Sequence, residues 1–203
     1  MRTIVIAAIF GTALATATAQ NSQDARPSDS LERPFAANGR IKMDLSAGDY
    51  RISGSPDAKI RVLWSVRDPE QLAKVKARVD VRGQDATIST DGPSNNFKVV
   101  IQVPARSDLH VRLTAGDLTL EDVEGNKDVE LHAGDLDIDV GRAEDYHHVD
   151  AGVWAGDIKA TPYHVSKEGL FRSFDWSGKG PYRLHAHLKA GDLRLFSKSA
   201  EER

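Results

Sequence analysis

From Ile41 onward, apolar and polar residues alternate along the chain, which is the signature of strands with one face in a core. Short strands are predicted around Ala86–Ser89, Phe97–Val103 and Leu109–Leu113, punctuated by Gly92-Pro93 and Pro104. One stretch has helical character. Asp68 is placed to cap it, Pro69 suits its first turn, and Leu72, Val75 and Val79 share a face, so a helix is predicted over Gln71 to Val79.

An internal repeat organises the alternation. Ala-Gly-Asp occurs at 47–49, 115–117, 133–135, 155–157 and 190–192. Aligned on glycine, the copies share apolar columns. Five positions earlier stand Met43, Val111, Val129, Ala151 and Ala186; three earlier stand Leu45, Leu113, Leu131, Val153 and Leu188. Two positions later come Tyr50, Leu118, Leu136, Ile158 and Leu193, and four later Ile52, Leu120, Ile138, Ala160 and Leu195. Agreement at so many columns marks a true structural repeat. The period-two phase slips by one residue at the motif, which calls for a bulge or corner. Gly48, Gly116, Gly134, Gly156 and Gly191 suit such a bend. Asp49, Asp117, Asp135, Asp157 and Asp192 offer carboxylates to amides that the bend leaves unpaired.

Glycine-to-glycine spacings are 68, 18, 22 and 35 residues. A spacing near twenty is about one coil of a β-solenoid, whose stacked strands lie roughly 4.8 Å apart. The prediction is an all-β, parallel β-helix-like solenoid with one short helix over residues 38–198. An antiparallel β-sandwich is the alternative, because it too produces alternation. It would not explain one turn recurring in one phase.

Outside the repeat, residues 1–19 read as a signal peptide. Arg2 is a minimal positive region, Ile4 to Leu14 a short apolar stretch, and Ala17-Thr18-Ala19 a cleavage pattern. Residues 20–37 read as a polar, flexible lead-in and 199–203 as a charged tail. With no cysteine, thiolate chemistry and disulfides are excluded. Formal net charge is −3, or −4 once Arg2 leaves with the leader, and the charges are interspersed. Nothing resembles a nucleic-acid footprint or a polybasic membrane patch. No second apolar segment is long enough to cross a bilayer as a helix.

The stretch Val103-Pro104, Leu109 through Leu118, and Val123-Glu124-Gly125-Asn126 into Val129 through Leu136 resembles the putative adhesin family of bacterial envelope proteins, with its Ser/Ala-Gly-Asp strand repeats. The resemblance spans about residues 38–196. It implies a right-handed parallel β-helix-like fold outside the cytoplasm, and it supplies no catalytic residues. The long segment 161–181 departs from the family's simplest pattern.

Stacking would align Asp117, Asp135, Asp157 and Asp192, which could bridge calcium; bonding of each to its own bend amides is the simpler expectation. His185-x-His187 puts two imidazoles on one strand face, and His147-His148 point opposite ways. Zinc would need a third ligand that the sequence does not identify, so no metal and no cofactor are predicted. No nucleophile elbow is present, and no catalytic residue is assigned. Thr161 to Tyr182 gathers Tyr163, Phe171, Phe174, Trp176 and Tyr182, which suit either partner recognition or a lid over an open solenoid end. Trp64 and Trp154 are further candidates for exposure. The reading is an exported, non-enzymatic, adhesin-like protein of the periplasm or cell surface. Its partner would be an envelope protein or glycan, with self-association through solenoid ends as a further route. A carbohydrate-active enzyme on a β-helix scaffold, or a calcium- or glycan-binding module, is the alternative.

Overall fold

The computed structural model describes residues 28–198. The expected signal peptide and charged tail lie outside the described residues. In chain order the strands are β1 (Ser28–Pro34), β2 (Gly39–Leu45), β3 (Asp49–Ser55), β4 (Lys59–Ser65), β5 (Lys76–Arg82), β6 (Asp85–Asp91), β7 (Lys98–Pro104), β8 (Ser107–Ala115) and β9 (Leu118–Glu121). Then come β10 (Lys127–Ala133), β11 (Leu136–Asp139), β12 (Tyr146–Ala155), β13 (Ile158–Ala160), β14 (Val165–Lys167), β15 (Leu170–Ser177), β16 (Tyr182–Ala190) and β17 (Leu193–Phe196).

Each Ala-Gly-Asp corner carries the chain from one sheet to the other: β2 to β3, β8 to β9, β10 to β11, β12 to β13 and β16 to β17. The eight-stranded sheet runs β15-β12-β16-β10-β8-β2-β6-β5, and the nine-stranded sheet β1-β4-β7-β3-β9-β11-β17-β13-β14. The inner faces of both sheets contribute to one buried apolar cluster. The aligned sequence columns are the rungs of this core. Val111 pairs beside Met43 and Val129, Val129 beside Ala186, and Ala186 beside Ala151, all buried. On the opposing sheet Tyr50, Leu118, Leu136, Leu193 and Ile158 form an equivalent line. Burying one such side chain contributes on the order of 1.5–3 kcal/mol.

The corners show why glycine is required. At Gly134 φ is +124°, and a Cβ there would stand 2.2 Å from the Gly116 carbonyl oxygen. The neighbouring backbones simply touch. Their amides continue the ladder round the bend, Gly116 N–H donating to the Ala133 carbonyl at 2.9 Å and Leu118 N–H to the Asp135 carbonyl at 2.9 Å.

Four expectations are revised. The architecture is a two-layer sandwich of mixed sheets: the central strands are parallel, but β1, β4, β5, β14 and β15 pair antiparallel at the margins. The units also do not follow one another in chain order, because β16–β17 sits between β10–β11 and β12–β13. On their other sides β12 and β13 pair with β15 and β14, so the last unit lies inside the stack and the 161–181 segment lies along its margin. The helix is one turn, Pro69–Leu72, without a side-chain cap from Asp68, and Lys76–Arg82 pairs as β5 instead. The β-branched and charged residues of that stretch do better in a ladder than in an isolated helix. Finally, part of the expected lead-in over residues 20–37 is ordered as a strand. Ser28–Pro34 is edge strand β1, with Leu31 packed on the core.

Candidate functional site

The residues singled out as turn formers come first. Four aspartates form a ladder along the corner, each carboxylate reaching the next unit. Asp117 Oδ1 accepts from the Asp135 amide (3.2 Å), Asp135 Oδ1 from Asp192 (3.1 Å), Asp192 Oδ1 from Asp157 (3.0 Å) and Asp157 Oδ1 from Gly169 (3.1 Å). This corrects the expectation of bonds within the same bend. Each charge is held by a backbone N–H of the neighbouring unit or, for Asp157, of Gly169. The first corner differs: the Asp49 amide donates to the Phe97 carbonyl at 2.9 Å.

The 161–181 segment lies along one margin of both sheets. Its β14 pairs with β13 and its β15 with β12, covering two edges that would otherwise present unpaired amides. Tyr163 and Phe174 are buried, with ring centroids 6.0 Å apart, and Trp176 packs 5.0 Å from Tyr163. Tyr182 is half-buried against Tyr146 at 6.3 Å. Of the five aromatics, Phe171 alone is exposed, at 68%. It meets Trp154, itself 61% exposed, edge to face at 5.7 Å, whereas Trp64 is buried. Phe171 has φ +54°, a left-handed conformation that is rare for a bulky residue.

Trp154 and Phe171 border a cleft of about 570 Å³ on the outer face of the eight-stranded sheet. Glu130, His132, Arg172, Ser173 and Lys189 supply polar groups around it, and Gly152 leaves part of its floor without a side chain. The sheet register aligns His110, Asp128, His185 and Asp150 in one row across β8, β10, β16 and β12. His185 Nδ1 lies 2.9 Å from Asp150 Oδ2, and His187 Nε2 lies 3.3 Å from the same oxygen. The two imidazoles stack with centroids 4.2 Å apart. Partial burial pushes the Asp150 carboxyl up, but the two imidazoles outweigh it and hold the group below its usual range. Asp128 is held low in the same way, burial being outweighed by Arg112 (3.2 Å) and His110 (2.9 Å).

Asp150 is therefore the third group that spacing alone did not identify. It was on the polar phase of its strand, between the inward Val149 and Ala151, but only the β12–β16 register puts it beside His185. Gly152 and Trp154 follow it on the same face. Another residue was missed. Lys127 occupies an aliphatic column between Leu109 and Leu184, is 2% exposed, and donates from Nζ to the Tyr146 hydroxyl at 2.5 Å. Its in-phase spacing with Val129 and Leu131 was the available signal.

No protein-family model matches the chain, and no curated protein is similar to it in sequence. Among solved structures, a "putative cell adhesion protein" from Clostridium sporogenes aligns over 84% of this chain and 100% of its own, with 13% identity and a TM-score of 0.56. The likeness is one of fold. A "putative adhesin" from Bacteroides fragilis aligns more loosely, over 83% of this chain and 97% of its own at 11% identity and a TM-score of 0.35. Another from Parabacteroides merdae covers 83% and 96% at 11% identity and 0.28. Among the described residues no helix is long and apolar enough to cross a membrane.

Proposed function

We propose that the protein is an exported, non-enzymatic, adhesin-like component of the cell envelope that recognises a glycan through the Trp154–Phe171 cleft. The five parallel motif-bearing units form a stiff, solenoid-like spine whose outer face carries this surface. One observation supports the reading above all: two large aromatic rings stand exposed beside a polar-rimmed hollow on an otherwise well-packed sheet. A pyranose has an apolar face and a hydroxyl rim. Trp154 and Phe171 suit the first, and Glu130, Arg172, Ser173 and Lys189 suit the second. The strained Phe171 backbone fits a ring held outward for a ligand, as strain concentrates where binding needs it. Of the aromatics gathered in residues 161–182, Tyr163, Phe174 and Trp176 serve the edge cover, Tyr182 packs on Tyr146 at the start of β16, and Phe171 serves recognition.

The test is a glycan array probed with the protein lacking its first 27 residues, beside its Trp154→Ala variant. Selective binding by the parent, reduced tenfold or more in the variant, is expected; tenfold equals about 1.4 kcal/mol. Binding that survives the substitution, or capture of a protein ligand at the cleft in place of any glycan, would overturn the assignment.

A further inference from the structure

The outer face of β16 holds a second constellation in the wall of the same cleft, which His185 and His187 line. Asp150, His185 and His187 bring one carboxylate oxygen and two ring nitrogens within 4.8 Å of one another, all half-buried. Three features go beyond a chance meeting of polar side chains. First, both imidazoles converge on a single atom, Asp150 Oδ2, at 2.9 and 3.3 Å. Zinc bonds to nitrogen and oxygen of about 2.0–2.1 Å put neighbouring tetrahedral ligands about 3.4 Å apart, close to the spacing of these oxygen–nitrogen contacts, and the two rings, which stack on one another, must turn toward the ion to coordinate it. Second, Gly152 makes the room. A Cβ there would stand 3.1 Å from His187 Cε1, tighter than side chains normally pack, so a larger residue would push the ring away from the sheet by a few tenths of an ångström. Third, the ligands sit on adjacent, paired strands of a rigid sheet, His185 opposite Asp150 and His187 opposite Gly152.

We propose that Asp150, His185 and His187 form a binding site for a borderline divalent transition metal of the zinc type, with its remaining coordination position open to solvent. Two imidazoles and one carboxylate are the donor set such ions take, whereas calcium and magnesium prefer oxygen throughout. A neighbouring triple, Asp128, Glu130 and His185, is a poorer host. Arg112 lies 3.2 Å from Asp128 and 3.0 Å from Glu130, so a fixed cation already bridges that pair. The site shares the cleft's wall, but its test does not rest on the glycan reading, since zinc can be titrated into the protein alone.

The experiment is a titration of tag-free protein, residues 28–203, with zinc chloride at neutral pH, followed by calorimetry and repeated in excess calcium. One zinc per chain is expected, with a dissociation constant of about 10 µM or lower, undisturbed by calcium. Asp150→Ala, His185→Ala and His187→Ala should each weaken binding tenfold or more, Gly152→Ala should weaken it by crowding His187, and His147→Ala should leave it unchanged. Asp150→Asn keeps the shape and a hydrogen-bond acceptor, so it reports on the ligand even if an alanine variant folds poorly. No saturable zinc binding by the parent, or equal binding by folded Asp150→Asn and His187→Ala, would overturn the proposal.

Discussion

Lys127 gives the sharpest stability prediction. Its ammonium interrupts an aliphatic column that is otherwise Ile41, Leu109, Leu184 and Val149. Burial drives its pKa from 10.5 down to about 8, against the opposing pull of Asp139, Glu124, Asp145 and Asp108. Below pH 8 the lysine is charged in both folded and unfolded chains, and the fold carries the whole burden. Between 8 and 10.5 the folded chain releases the proton while the unfolded chain keeps it, so stability rises with pH. The gain works out at about 2 kcal/mol between pH 7 and 9.5. Near pH 10 the trend reverses. Burial raises Tyr146, Tyr163 and Tyr50, so the folded chain holds phenol protons that the unfolded chain gives up. Lys127→Met fills the column without a charge but removes the donor to the Tyr146 hydroxyl, a loss of about 1–3 kcal/mol. Urea unfolding followed by tryptophan fluorescence from pH 7 to 9.5 should show the parent gaining on the variant by about 2 kcal/mol. Parallel pH profiles for the two proteins would refute the reasoning.

Two other perturbations test the corners and the cleft. Gly134→Ala should cost at least about 3 kcal/mol in urea unfolding, because its Cβ meets the Gly116 carbonyl at a φ few residues adopt. Gly83→Ala, at a left-handed turn with open space around it, should cost only about 1 kcal/mol; equal losses would mean the corner contact is not what selects glycine. Phe171→Gly should leave melting temperature equal or higher, since it relieves a left-handed backbone, while weakening glycan binding; a marked fall in melting temperature would make Phe171 a packing residue.

The sequence repeat was legible because a corner leaves two kinds of mark: a glycine forced by backbone contact, and apolar columns forced by the ladder. Val111, Val129 and Ala186 align in the sequence because they pair in space. Chain order within the stack was not legible. Nothing local in Tyr182–Phe196 distinguishes joining the outside of β12 from sitting inside it; the position is a matter of non-local pairing, β12 having β15 on one side and β16 on the other. The helix reading failed where Lys76–Arg82 found a partner in β6, a non-local pairing that outweighs local periodicity. The candidate site is similarly non-local. His185 and His187 declared themselves by spacing, but Asp150 lies thirty-five positions before His185 and meets it only through register. Phe171 and Trp154 were both visible as aromatics, yet which would face solvent depended on the strand phase set by β12 and β15.

The claim that the outer-face cleft recognises sugar is read most directly by the tryptophans themselves. Of the three in the chain, Trp64 is buried, Trp176 packs on the core, and Trp154 stands open. Acrylamide quenching measured with and without a glycan found on the array isolates that one residue. Saturable protection of the emission, absent in Trp154→Ala, is the predicted result. Tight glycan binding with no change in quenching would place the sugar elsewhere and contradict the account.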